Sequence, residues 1–184
     1  MLPSLALTLT LQLSNISGVP PPVLAQAQLE MARLYAAIGV EIRWSEMPGD
    51  IRLIVMNDEP GDLRRASQMI LGAAIHGAQG SSVAYVFYRR VADEANKHDV
   101  SRSLLLACAM AHEVGHLLLP GRPHSRAGLM RGVWDYDEFH RAANGLLRFS
   151  AEEGESIRAR QNLIGSARVE NAANAQNLNL PVKD

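Results

Sequence analysis

Between Leu5 and Ser14, leucine alternates with Thr, Gln and Ser. A period of two sends one set of side chains to each face, so the segment reads as a half-buried β-strand. "SGVPPP" breaks it. From Pro22, the apolar residues Leu24, Ala27, Met31, Leu34, Tyr35 and Ile38 fall on one helical face, and Gly39 sits where a C-terminal helix cap belongs. Val40, Ile42 and Trp44 then alternate with Glu41 and Arg43, giving a second strand. "DIRLIVMN" is apolar on both faces and reads as a third, central strand. The stretch from Asp58 to Gly80 is rich in Gly and Ala and reads as one long connection, of a length associated with function. "SVAYVFY", Ser82 to Tyr88, is a fourth strand.

Asp99 or Ser101 is placed to cap the next helix, which runs to about Leu119 and is apolar all round from Leu104 to Ala111. Such a helix is buried on every side. "PGRPHSRAGLMRG" is loop. "FSAEEGESIRARQNLI" opens with Ser150 and Glu153 in capping-box spacing and continues as a helix. From about Ser166 there is little left to bury. The pattern predicts an α+β domain over 1–165. A small, mixed, mostly parallel twisted sheet packs on an N-terminal helix and a central helix, followed by a C-terminal helix; 166–184 form a loosely held tail.

Composition adds boundaries rather than direction. The 184 residues are 47% apolar and 20% charged, enough for one cored domain. The formal net charge is −1, which gives no electrostatic footprint for nucleic acid. No apolar run reaches the length of a membrane span. Cys108 is the single cysteine, so intrachain disulfides and cysteine-cluster metal sites are excluded. The N-terminal "LPSLALTLTLQL" has the look of a signal-peptide core, but no Lys or Arg precedes it and Thr and Gln interrupt it. The expected location is secreted or periplasmic with the signal already removed; a cytoplasmic location is the alternative. The chain is expected to be a monomer.

Candidate chemistry concentrates in "AHEVGHLLLPGRPHS", residues 111 to 125. His112 and His116, at i and i+4, stand one above the other on one helical face, so both imidazoles reach a single ion. Glu113 edges the same face and points beside that ion, where it serves as a general base toward a water held there. Burying these groups unpaired in an apolar helix would cost roughly 1–3 kcal/mol each, a penalty that a metal removes. Gly121 supplies a turn with positive φ, and the chain then comes back to His124 as the third ligand. Cys108 lies eight residues before His116, about 12 Å along a helix, and cannot share an ion with both histidines. It is read as a small packing residue. His76, His98 and His140 lie outside the motif and are read as surface or satisfied histidines.

These residues resemble the metzincin family of zinc metallopeptidases, whose pattern is H-E-x-x-H-x-x-G-x-x-H followed by a Met-turn. Gly115 gives the H-E-V-G-H form common in that family, Ser125 after the third histidine matches its matrixin-like branch, and Met130 in "AGLMRG" stands where the Met-turn methionine floors the metal site. The chain departs from the pattern in one respect: Gly121 and His124 each come two residues late. A loop absorbs two residues at little entropic cost. The tyrosine ligand of astacin-like members has no counterpart, because that position is Gly132. The resemblance implies one catalytic zinc held by His112, His116 and His124, a polypeptide substrate and endopeptidase activity, with Glu113 as general base and then proton donor to the leaving amine. It also implies that Trp134 and Tyr136 wall a substrate pocket, core packing being the other reading of that pair, and that "SVAYVFY" is the cleft's upper rim, pairing with extended substrate. Two other functions fit the same fold: a non-proteolytic zinc amidohydrolase, and a zinc-binding module with four protein ligands.

Overall fold

A computed structural model of the chain describes residues 7–58, 70–76, 82–119, 121 and 124–163. The proposed tail, 166–184, lies outside the described residues. In chain order the elements are β1 (Leu7–Asn15), α1 (Pro21–Ala36), β2 (Val40–Ser45), β3 (Ile51–Met56), β4 (Gly72–His76), β5 (Ser82–Phe87), α2 (Tyr88–Lys97), α3 (Arg102–Leu118) and α4 (Tyr136–Ala143). A fifth helix, α5, covers 151–163. The strands form one five-stranded sheet in the order β2-β1-β3-β5-β4. β1 pairs parallel with β2 and β3, and β3 pairs parallel with β5, whereas β4 runs antiparallel to β5. The fold is therefore α+β with a mostly parallel mixed sheet. No described helix is long and apolar enough to cross a membrane.

The alternation read in β1 has the expected result: Leu9 and Leu11 are fully buried. β3 buries Ile51, Leu53, Ile54 and Val55, as a strand with neighbours on both edges should. α1 presents Ala27, Met31, Leu34 and Tyr35 to the core, and Gly39 turns the chain at its end with φ 77°. α3 is buried through nearly its whole length and packs on α1, α2, α4, β4 and β5. A buried hydroxyl needs a partner, and Tyr35 Oη of α1 donates to the Ala111 carbonyl of α3 at 3.1 Å. α5 starts with the predicted box: Ser150 N–H donates to Glu153 Oε2 at 2.7 Å and Glu153 N–H to Ser150 Oγ at 3.2 Å.

Three expectations need correction. The stretch from Asp58 to Gly80 is not one connection, since β4 lies within it. Its residues, Gly-Ala-Ala-Ile-His, are too small to show a hydrophobic period, and pairing with β5 defines the strand instead. The segment "SVAYVFY" is not a free rim. β5 has β3 on one edge and β4 on the other, so the outer strand is β4. Residues after Phe87 and after Asp135 are helical, in α2 and α4. α2 buries only Val91 and Ala95, a footprint too narrow to stand out in the sequence.

Cys108 is buried, and burial pushes its thiol from the ordinary value of 9.0 up to about 12. Between those pH values an unfolded chain gives up a proton that the folded chain keeps, so stability should fall as pH rises through that window. At pH 8 Cys108 should resist iodoacetamide in native buffer and react once denaturant unfolds the chain. Rapid alkylation under native conditions, followed by mass spectrometry, would contradict the burial.

Candidate metal centre

His112 and His116 lie in the last two turns of α3, and His124 comes back from the following loop after Gly121, which adopts φ 77° as the turn requires. The three Nε2 atoms converge. His112 Nε2 is 3.0 Å from His116 Nε2, which is 3.0 Å from His124 Nε2. One ligand atom from each residue lies within 4.8 Å of the others. Nitrogen ligands on a tetrahedral ion with bonds of about 2.0–2.1 Å stand about 3.3 Å apart, so the spacing suits a shared ion. Among the described residues no other group of His, Cys, Asp or Glu side chains gathers in this way.

The surroundings fix which nitrogen faces the centre. His112 Nδ1 lies 2.7 Å from the Leu129 carbonyl oxygen, which can only accept, so Nδ1 carries the proton and Nε2 presents its lone pair. Burial, together with the neighbouring imidazoles, lowers His112 to about 3 despite the Leu129 hydrogen bond. Burial and His124 lower His116 to about 4. Both rings are therefore neutral at pH 7 and available as ligands. Three imidazole nitrogens gathered at this spacing, with the His112 Nε2 lone pair turned toward the other two rings, fit a shared metal ion.

Glu113 sits beside this cluster, 5% exposed, with its carboxyl pushed by burial up to about 8. β4 reaches it: a Cβ at Gly72 would lie 2.5 Å from Glu113 Cγ and 2.8 Å from Cδ. Gly115, between the two helical histidines, plays a similar part on the other side, where an added Cβ would lie 2.6 Å from Met130 Sδ. Met130 is buried on a tight turn, with its thioether against Gly115. In that turn Gly128 has φ 84°, Arg131 N–H donates to the Gly128 carbonyl at 3.1 Å, and Ser125 N–H donates to the Met130 carbonyl at 2.8 Å.

Two buried glutamates hold the ends of this loop. Glu153, the capping-box glutamate of α5, accepts a short hydrogen bond from Ser125 Oγ. Glu138, the capping-box glutamate of α4, pairs with Arg131. Ser125 and Arg131 are themselves bridged through the backbone. Ser125 was legible as a candidate. Arg131, Glu138 and Glu153 were not assigned to the site from sequence, although Asp135/Glu138 carries the same capping-box spacing that identified Ser150/Glu153.

The histidines open into a cleft of about 960 Å³, with Gly72, Ala73 and Ala74 of β4 in its wall. Trp134 lines it, edge-on to His112 at 5.8 Å between ring centres, with Nε1 donating to the Leu129 carbonyl at 3.3 Å. Phe139 continues the wall and stacks on His98 at 3.9 Å. Tyr136 is placed differently: it is 72% exposed at the start of α4 and stacks on His140. Cys108 does not line this cleft, but a separate one between α1, α3 and the segment after α4. No protein-family model matches the chain, and no curated protein matches it.

Binding confined to the folded state stabilises it by about 2.7 kcal/mol at a free metal concentration of 100 Kd. In a chain of this size that raises Tm by about 5–11 °C. Divalent zinc, cobalt or nickel added to metal-free protein should give such a shift in calorimetry, and His124→Ala should abolish most of it. A wild-type Tm indifferent to all three ions would count against a metal centre.

Proposed function

We propose that the chain is a zinc-dependent endopeptidase of metzincin type. The observation that carries the reading is the placement of three convergent imidazole nitrogens and one buried carboxylate, Glu113, at the wall of an open cleft. Three imidazole ligands suit zinc, and a site with three protein ligands keeps a position for reaction, whereas a structural zinc takes four. Zinc bound there supplies Lewis-acid polarisation of the scissile carbonyl.

The chain's own residues carry the rest. Among the described residues no strand lies beside the outer edge of β4, which offers that edge to an extended peptide laid along the cleft. Gly72, Ala73 and Ala74 keep that edge low enough for a main chain to approach. Trp134 and Phe139 offer an aromatic wall to a substrate side chain. A dication bound at the histidines would offset the burial that raises the Glu113 carboxyl, and the ionised Glu113 would then take a proton from the attacking water as the water oxygen bonds to the carbonyl carbon. It returns that proton to the amide nitrogen as the C–N bond breaks. Met130 fills the space beneath the histidines through contact with Gly115, and Ser125 ties the loop bearing His124 to α5.

Glu113→Gln keeps the shape of the side chain and removes the base. It should hold zinc as wild type does and lose about 10²-fold or more in turnover, mainly in kcat. The check is zinc content beside kcat on a peptide chosen from a cleavage-site library. Near-normal turnover with zinc present would remove Glu113 from the reaction, and a zinc-loaded wild type that cleaves no library peptide would overturn the peptidase reading.

A further inference from the structure

We propose that Gly132 is a positioning residue for the third metal ligand: its missing side chain leaves the space in which the His124 imidazole is held. The proposal rests on the metal-site reading above and extends it to a residue outside the ligand motif. The glycines with positive φ among the described residues are Gly18, Gly39, Gly121, Gly128 and Gly145, and Gly132 is not one of them. Its backbone is therefore one that any residue adopts, and a turn does not account for the glycine. Its neighbours do. An added Cβ would meet His124 Nδ1 at 2.5 Å, Cγ at 2.6 Å and Cβ at 3.0 Å, so its three nearest atoms all belong to one side chain. Ordinary contact distances begin near 3.5 Å. The backbone at 132 lies directly against the imidazole.

The three ligands are braced in different ways. His112 is buried and its Nδ1–H is tied to the Leu129 carbonyl. His116 is held within α3. His124 is exposed and comes from a loop, so its ring depends on what it lies against. One ring face meets the other two histidines, and Gly132, two residues after Met130, lies against its Nδ1 side on a segment secured by the Arg131–Glu138 pair and the Ser125–Arg131 bridge. Any side chain at 132 pushes the ring away and carries Nε2 from its place 3.0 Å from His116 Nε2.

The test is a zinc competition titration against a chromophoric chelator on the full chain, comparing wild type, Gly132→Ala, His124→Ala and the double variant. Groups that orient metal ligands are worth about 10–100-fold in affinity, so Gly132→Ala should weaken zinc binding about tenfold or more. Because its effect runs through His124, the double variant should bind zinc within about threefold of His124→Ala alone. Gly132→Ala binding within about threefold of wild type, or penalties that multiply in the double variant, would overturn the proposal. If Gly132→Ala does not fold, removing the imidazole must restore the fold in the double variant, judged by the thermal melt of the metal-free protein, and failure to restore it would place the clash elsewhere. A wild type that takes up no zinc sinks the metal site itself, and the inference with it.

Discussion

The hydrogen bond from His112 Nδ1 to the Leu129 carbonyl, 2.7 Å long, joins α3 to the turn behind it. The rest of the site depends on that link. It sets the tautomer that turns the Nε2 lone pair toward the other two histidines, and it places the turn so that Met130 meets Gly115. The same carbonyl accepts from Trp134 Nε1, which brings the cleft wall into register with the ligands. A buried imidazole without this acceptor would leave an N–H unpaired in an apolar setting, at a cost of roughly 1–3 kcal/mol.

Besides the links at Leu129, the segment after His124 is tied at Ser125 and at Arg131. Glu138 and Glu153 each serve as the N3 residue of a capping box, satisfying backbone donors at the start of α4 and α5. Each is nearly fully buried, and each carboxylate also takes a residue of the loop, Arg131 in one case and Ser125 in the other. Two helix starts thus serve as anchors for the loop that carries His124. Glycine plays the complementary part by leaving space. Gly72, Gly115 and Gly132 each abut one group of the site: Glu113, Met130 and His124 respectively.

What was legible in the sequence is what depends on local spacing. The i, i+4 histidines, the positive φ at Gly121, the alternation in β1, the face of α1 and the capping box of α5 all follow from neighbours a few residues apart. What was not legible depends on pairing across the chain. β4 consists of small residues with no period of their own and exists through β5, so both the strand and its edge position were missed. α2 fastens itself with two apolar residues, too few for a periodic signal. α4 did carry a signal, Asp135 with Glu138 three positions on, but it is only eight residues long and Trp134 and Tyr136 read equally well as pocket wall. The helix geometry separates that pair, with Trp134 in the cleft and Tyr136 outside it. The sequence marks Gly132 only as the place where a tyrosine ligand is missing, and its contact with an imidazole eight residues earlier is visible only in the fold.

The central claim is that one ion is shared by three imidazoles and leaves one position free. X-ray absorption at the zinc edge tests it most directly, because scattering from imidazole rings counts the histidines on the metal. The account predicts three imidazoles and one further light atom from solvent, at about 2.0–2.1 Å. A sulfur shell near about 2.3 Å, a fourth imidazole, or fewer than three would contradict it.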